Sequence, residues 1–587
     1  MTSMFYITDN KDNSNKFKYN SVKEFGSLVF MYNDPVNFIQ SGDDICIYYS
    51  QAQVLGLLSS EVLLNVVESH FSTNTFNYKE LTNKYSFIFY NLKTNIFKAY
   101  TDLFKNINVN YALTEGFNVS DSLSVVKGVI NEVEISKESI YHYLNFCYIP
   151  SPHTIYKGVY KLGAAQSLEI NVDTKKTDIN RYWNINYKPV QNGSEEVLVD
   201  KIKSSLVKAI LQCKTQHNNS TFLSGGTDST SITSVLSKNS EEKLKSYSIG
   251  FYEEEYSELE FVDIAQKVLM HDSTKYKLSA DEVYELIFKL SGEFEEPFGN
   301  SSVLATYYCA KLSSNDNNDV MIAGDGGDEI FGGNERYAKD VYFQKYYNLP
   351  GFIKWPLESL VSILPGSSNR FINRVKNFIK RSNTKNPERF YLDDSFSSDY
   401  YEELLSDGFR KGLNKWSSLE VVKANYDYCE SDEELNKLMQ LDQLMAIAEN
   451  DLMKVNTSCS TNDIDVLYPF LNRELVEFMA TIPKNLKIHG SDKRYGFKKA
   501  VAEFTPQEIL YKKKQGFGVP LSVWFKTNMK FIELAKDIFN SDEFISRDIF
   551  NQDFCLELLD KHIKGTWDYS QEIWIIINLE LWLRKHL

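Results

Sequence analysis

The stretch Thr221-Phe222-Leu223-Ser224-Gly225-Gly226-Thr227-Asp228-Ser229 decides the fold. Thr221–Leu223 reads as a short strand and Thr230–Ser237 as a helix, so the loop joins a strand end to a helix start. Two adjacent glycines let backbone N–H groups approach an anion, and a helix N-terminus adds the positive end of its dipole. Ser224, Thr227 and Ser229 add hydroxyl donors. Asp228 would repel a bare phosphate; it makes sense if it holds Mg2+ against the phosphates. The loop is not of the Walker type, because the Gly-Lys-Ser/Thr ending is missing. Taken alone, it is also compatible with an ordinary glycine-containing turn.

Outward from this loop, helices alternate with strands: helix Glu195–Gln212, strand Lys245–Phe251, helix Glu258–Leu269, a strand near Lys275–Leu278, and two further helices. Strand Val320–Ala323 ends in a second loop, Gly324-Asp325-Gly326-Gly327-Asp328-Glu329-Ile330-Phe331-Gly332-Gly333. This alternation predicts an α/β domain with a parallel sheet, whose ligands bind beyond the carboxyl ends of the strands. Asp328 can then supply a second carboxylate to the same Mg2+. From about 340 onward the chain reads as helical, with a polar part over 380–435. Residues 1–190 read as mostly β, with runs at Ser27–Tyr32, Ile45–Tyr49, Tyr85–Tyr90 and Ser167–Ile170 and one helix near Ser139–Phe146. Lys188–Ser194 has the turn residues of a linker. Two domains follow, 1–190 and 195–587.

The bulk numbers narrow the function classes. A formal net charge of -15 over 587 residues argues against general nucleic-acid binding, which needs a basic face. The seven cysteines form no CxxC pair, so neither a zinc site nor a disulfide framework is expected. The start, MTSMFYITDNKDNSN, does not read as a signal peptide, and no apolar stretch reaches membrane-spanning length. A cytoplasmic protein with no membrane insertion is the expectation.

A third segment, Lys512-Lys513-Lys514-Gln515-Gly516-Phe517-Gly518-Val519-Pro520, could be a solvated basic run. The Gly-Phe-Gly-Val-Pro that follows the lysines points instead to a packed loop that delivers one lysine to a site. Together the three segments resemble the synthetase domain of the asparagine synthetase family, with β-lactam synthetase and the lasso-peptide cyclases among its relatives. YPFLNRELVEFMATIP resembles that family's PFLD helix, and YIPSPHTIYKGVYKLGAAQSLEI followed by RYW resembles the end of its glutaminase domain. The resemblance covers nearly the whole chain. It implies an N-terminal Ntn-amidotransferase-like α+β domain, then a pyrophosphate-loop domain of the adenine nucleotide α-hydrolase type with added helices.

The chemistry implied is attack of a carboxylate on the α-phosphorus of ATP, giving an acyl-adenylate and pyrophosphate, then displacement of AMP by an amine. By the resemblance, Ser224, Gly225, Gly226, Thr227 and Ser229 hold the pyrophosphate, Asp228 and Asp328 hold Mg2+, and backbone near Leu223, Ile249 and Gly324 frames the nucleoside. Lys514 is expected at the α-phosphate, where a preorganised cation contributes about 3–4 kcal/mol. Asp325 stands where relatives carry a residue near the attacking amine, and Glu449 matches a position that can carry the general base.

The N-terminal domain departs from the family. Met1-Thr2-Ser3-Met4 replaces Met-Cys-Gly, no Asn-Gly-Glu occurs in residues 1–190, and no arginine precedes Arg181. Lysine is a poor substitute for an arginine that clamps a carboxylate bidentately. Tyr100-Thr101-Asp102-Leu103-Phe104-Lys105 stands where the family reads Ala-Arg-Asp-Arg-Phe-Gly. Thr2, exposed by removal of Met1, is the one remaining route to a terminal nucleophile. The domain is read as a retained scaffold without glutaminase activity. On the acceptor side, Thr457, Leu467 and Asn472 replace charged residues, which weakens the case for free aspartate. The expected function is amide ligation in which the substrates carry their own amine. The lasso-peptide cyclase type is favoured, with a ribosomal precursor peptide and a partner leader peptidase. Alternatives are an ammonia-using asparagine synthetase or amidotransferase of another carboxylate, and a non-catalytic nucleotide-binding homologue.

Overall fold

The computed structural model describes residues 3–114, 116–188, 193–240, 243–268, 271–363, 370–512 and 518–587. The N-terminal part contains strands β1 (Phe5–Thr8), β2 (Ser21–Phe25), β3 (Leu28–Tyr32), β4 (Asn37–Ser41), β5 (Asp44–Ser50), β6 (Tyr85–Asn91), β7 (Ile96–Thr101), β8 (Asn110–Ala112), β9 (Asn118–Ser120), β10 (Val159–Lys161), β11 (Gln166–Asn171) and β12 (Thr177–Arg181). They pair antiparallel into two sheets, ordered β10-β8-β9-β1-β3-β2 and β12-β11-β7-β6-β5-β4.

Alternation along the strands explains the stacking. Ile7 and Phe30 of the first sheet meet Ile47, Ile88 and Ile170 of the second in one buried cluster. The outer face of the second sheet, with Cys46, Phe87 and Phe89, is covered by α1 (Ser60–Thr73). The outer face of the first, with Tyr6 and Met31, packs on Val125 of α2 (Leu123–Lys127). The β-rich reading of this half overlooks α1. Its leucines and valines resemble a strand run, but the buried set Leu63, Val66, Val67 and His70 has the i, i+3, i+4, i+7 spacing of a helix face. The helix expected at Ser139–Phe146 is α3 (Lys137–Phe146), capped by Ser136.

The second half is built on β13 (Asn219–Phe222), β14 (Leu244–Phe251), β15 (His271–Leu278), β16 (Val320–Ile322) and β17 (Asp465–Leu467), all parallel and ordered β15-β14-β13-β16-β17. Helices α4 (Glu195–Leu211), α5 (Thr227–Lys238), α6 (Leu259–Val268), α7 (Val303–Asn315) and α8 (Gly327–Phe331) accompany these strands. The three-residue β17, unexpected from sequence, lies inside the region read as helical. Pairing with β16 decides it, with Asp465 opposite Val320 and Leu467 opposite Ile322.

Beyond α8 come α9 (Glu335–Tyr347), α10 (Gly351–Ile363) and α11 (Arg370–Asn383). Then α12 (Glu434–Asp442) runs through a π-helical stretch, Gln443–Asp451, into α13 (Leu452–Ser460). The chain continues with α14 (Arg473–Ala480), α15 (Tyr495–Val501) and α16 (Ser570–His586). The two halves share one buried apolar cluster. The Tyr143 hydroxyl donates to Ile575 O at 2.9 Å, and Trp183 Nε1 donates to Glu477 Oε1 at 2.9 Å across their junction. Among the described residues no helix is long and apolar enough to cross a membrane.

Candidate active site

From β13 the chain steps outward to β14 and β15 on one side, then returns to place β16 on the other. The loops after β13 and β16 therefore diverge at the switch point of the sheet, where such folds open a crevice. A cavity of about 410 Å³ lies there. Leu223, Ser224, Asp228, Ser229, Ile249, Gly324, Asp325 and Asp328 line it. A second cavity of about 320 Å³ shares Ser224 and Asp228 and adds Gly226, Thr227 and the cations Lys493, Arg494, Lys498 and Lys512.

Gly225 lines neither cavity; it shapes the turn. Its φ is +73°, and a Cβ there would sit 2.8 Å from Phe261 Cβ and 3.1 Å from Val262 N. Ser229 Oγ receives the Ser224 N–H at 3.2 Å and donates to Gly226 O at 3.3 Å, which ties the loop to the first turn of α5. The site thus pairs a helix N-terminus with four cations, an arrangement suited to a polyphosphate.

Asp228 and Asp328 come together around one guanidinium. Arg494 Nη1 and Nη2 donate to Asp228 Oδ1 and Oδ2 at 2.6 and 2.7 Å, and Nη2 also bonds Asp328 Oδ1. Burial works against the Arg494 charge, but the two aspartates outweigh it and raise its pKa. The glycines of the second loop make the approach possible. A Cβ on Gly327 would lie 2.9 Å from the Asp228 carboxyl carbon, and one on Gly333 would collide with Asp328 and Arg494. Arg494 was not singled out from sequence. Its only local signal is the run Asp492-Lys493-Arg494, 166 residues beyond Asp328 in the chain.

The same cavity is also lined by Asp325, Asp451 and Lys454. Lys454 Nζ is 2.9 Å from Asp451 Oδ1 and 3.6 Å from Asp325 Oδ1. Burial pushes the Asp325 carboxyl up to about 6, with Lys454 opposing the rise and Asp451 adding to it. Asp451 ends the π-helical stretch and Lys454 lies one turn on, so the wide turn sets which side chains reach the cavity.

Two sequence expectations need correction. Glu449 does not line the nucleotide cavity; its carboxylate is taken up at the junction of the two halves. It pairs with Lys105 Nζ, receives the Ser151 N–H at 3.2 Å and lies 3.9 Å from Lys161 Nζ. Burial disfavours its charge, but Lys105 and Lys161 outweigh burial and hold its pKa below the ordinary 4.5. The general-base role is therefore unsupported for Glu449, whereas Asp325 faces the cavity. Next, Thr457 and Leu467 are buried and do not line the cavity. Asn472 caps α14, accepting the Leu475 N–H at 3.2 Å. These positions therefore carry no argument about the acceptor. Lys512 pairs with Glu258 at 3.0 Å beside the second cavity; Lys514, expected at the α-phosphate, lies outside the described residues.

The substituted N-terminal residues are packed into the fold. Thr101 Oγ1 donates to Gly163 O at 2.8 Å, Leu103 and Phe104 are buried, and Asp102 accepts backbone N–H bonds from Phe104, Asn106 and Ile107. Lys105 keeps a left-handed φ of +62°, a conformation glycine adopts without the roughly 1–2 kcal/mol that other residues incur. Arg181 stacks over Tyr428 at 4.7 Å near the junction of the two halves. Met1 and Thr2 lie outside the described residues.

Comparison with known proteins agrees with this geometry. The family model described as asparagine synthase matches residues 201–584, the span that holds both loops, the π-helical stretch and Arg494. Asparagine synthetase [glutamine-hydrolyzing] 1 of Bacillus subtilis is 26% identical over 77% of this chain and 69% of its own length. A putative asparagine synthetase [glutamine-hydrolyzing] of Mycobacterium tuberculosis is 24% identical over 78% and 69%. A putative asparagine synthetase [glutamine-hydrolyzing] 2 of Methanocaldococcus jannaschii is 28% identical over 56% and 62%. With a family match over more than half its length, and a glycine-rich crevice at the switch point of that matched sheet, this chain belongs to the asparagine synthase family of carbon–nitrogen ligases.

Proposed function

We propose that this protein adenylates a carboxylate with ATP and joins it to an amine without hydrolysing glutamine, the amine being carried by the substrate itself, as in a lasso-peptide cyclase. The observation that carries the ligase reading is the crevice shared by the two glycine-rich loops, with Asp228 and Asp328 converging on Arg494 and Asp325 lining the same cavity. The loss of the family's residues at Thr101, Leu103 and Lys105, with no arginine before Arg181, supports an amine that does not come from glutamine. A precursor peptide and a leader peptidase are the partners this reading calls for.

In this reading the polyphosphate lies along the Ser224–Ser229 loop and the α5 N-terminus, with Arg494, Lys498 and Lys512 balancing its charge. The residues fit Mg2+: two carboxylates already converge on one cation, and phosphate oxygens can complete the hard oxygen set the ion prefers. Asp228 and Asp328 would hold it, and it would neutralise charge on the leaving pyrophosphate. Asp325 takes the proton of the attacking amine, and Lys454 keeps that carboxylate in place.

The deciding experiment supplies ATP, Mg2+, aspartate and ammonium and follows AMP, pyrophosphate and asparagine. The expected result is nucleotide binding without asparagine. Asparagine formed with equal AMP would make this an ammonia-using asparagine synthetase and end the cyclase reading. Glutamate released from glutamine would end the scaffold reading of the N-terminal domain.

A base whose pKa is raised to about 6 is protonated below that pH. Amide formation should therefore fall as pH drops through about 6, and Asp325→Asn should lose this limb together with most of its rate. A profile unchanged by Asp325→Asn would assign the proton to another group.

A further inference from the structure

Helix α10 is inside out. Its polar residues face the protein: Lys354 Nζ donates to Tyr347 O at 3.1 Å, and Glu358 Oε1 accepts from Asn383 Nδ2 at 2.7 Å and from the Tyr346 hydroxyl at 3.2 Å. Its apolar residues face outward, with Phe352 79% exposed, Trp355 72%, Leu360 63% and Leu357 48%. A surface helix normally buries its apolar stripe, and large exposed apolar patches mark interaction sites. The neighbouring α11 is basic; Arg374 and Lys380 are exposed and form no ion pair among the described residues. Phe378 anchors α11 on α9, its ring 5.3 Å from Phe343 and 5.6 Å from Tyr346. Over residues 351–383 the chain carries Lys354, Arg370, Arg374, Lys376, Lys380 and Arg381 against the single acid Glu358, while the whole chain is at -15.

We propose that α10 and α11 form a docking surface for an anionic lipid bilayer, with the aromatic and aliphatic side chains of α10 seated in the headgroup region. The charge argues for lipid. A chain this acidic is repelled from an anionic membrane everywhere except at a local basic segment, and here that segment adjoins outward-facing tryptophan, phenylalanine and leucine. A protein interface core, by contrast, is depleted in lysine. Among the described residues no helix can span a bilayer, so the helix pair would lie in the interface. A ligase held this way would work at the membrane surface.

The test is flotation of the full chain with two kinds of vesicle: phosphatidylcholine alone, and equal parts of phosphatidylcholine and phosphatidylglycerol. The protein should float with the anionic vesicles, weakly with the neutral ones, and less as salt is raised. Trp355→Ser combined with Leu360→Ser should weaken partition by at least about tenfold. Arg374→Glu combined with Lys380→Glu should abolish the preference for anionic lipid. Both variants should keep the wild-type circular dichroism spectrum, because the changed side chains are exposed. A wild-type chain that never floats, or variants that float like it, would overturn the proposal. A wild-type dimer that the Trp355 and Leu360 variant converts to monomer would assign the face to a second copy instead.

Discussion

Asp228→Asn is expected to lower AMP formation by at least about 100-fold, on the order of 3 kcal/mol in the barrier, while leaving the fold intact. The substitution preserves the shape of the side chain and removes only its charge. That charge has two uses in the site. It holds the Arg494 guanidinium bidentately, and with Asp328 it makes a carboxylate pair that converges where the two loops meet. Without it, Arg494 keeps only Asp328 of the two aspartates that hold it, and under the proposed function a divalent cation would lose one of its two protein ligands. The defect should be equally large with every amine tried, because it lies on the nucleotide side. The mutant should also require more Mg2+ to reach half-maximal rate. Activity within about threefold of wild type would remove Asp228 from the nucleotide-binding machinery, since that corresponds to less than about 1 kcal/mol.

Replacing Lys105 by methionine should destabilise the protein by about 3–5 kcal/mol, the usual cost of leaving one member of a buried ion pair alone. Only 1% of the Lys105 side chain and 3% of the Glu449 side chain are exposed, so water cannot compensate. Lys161 remains 3.9 Å from Glu449, but it already pairs with Glu296. Combining Lys105→Met with Glu449→Gln should recover much of the loss, because the remaining buried charge is removed as well. The readout is the denaturant midpoint of the transition that involves both halves, followed through the four variants of the cycle.

The pH dependence has a fixed sign. The folded Glu449 pKa lies below its ordinary 4.5, so its contribution is complete above that value and is lost as pH falls through the folded pKa. In Lys105→Met this acid-sensitive part of the stability should shrink. Glu449 also anchors the π-helical stretch that ends at Asp451, so the variant should slow amide formation more than adenylation. Equal losses in both steps would reduce the pair to a purely structural tie.

Much of the catalytic half was legible in the linear order of residues. Strand–loop–helix segments carry their own signals: the apolar run before Ser224, the glycines that permit close backbone approach, and the helix-forming stretch after Asp228. Each acts within about ten residues, and so does the second loop. The missing arginines of the N-terminal half are likewise a matter of composition, readable without coordinates.

What lay beyond reach depended on contacts between distant parts. Arg494 meets Asp228 across 266 residues, and Lys105 meets Glu449 across 344. A short polar run and a lone carboxylate look the same in sequence whether they face a ligand or another domain. Glu449 and Asp451 have opposite fates because residues two apart on a helix point to opposite faces, here one toward the N-terminal lysines and the other toward the cavity. The residue types thus determined by themselves that a glycine-lined crevice would form at the strand ends and that the N-terminal half lacks the arginines the family's pattern calls for. Which acid faces the crevice was decided by helix phase and domain packing, because side-chain direction is set by the turn geometry and neighbours of the folded chain.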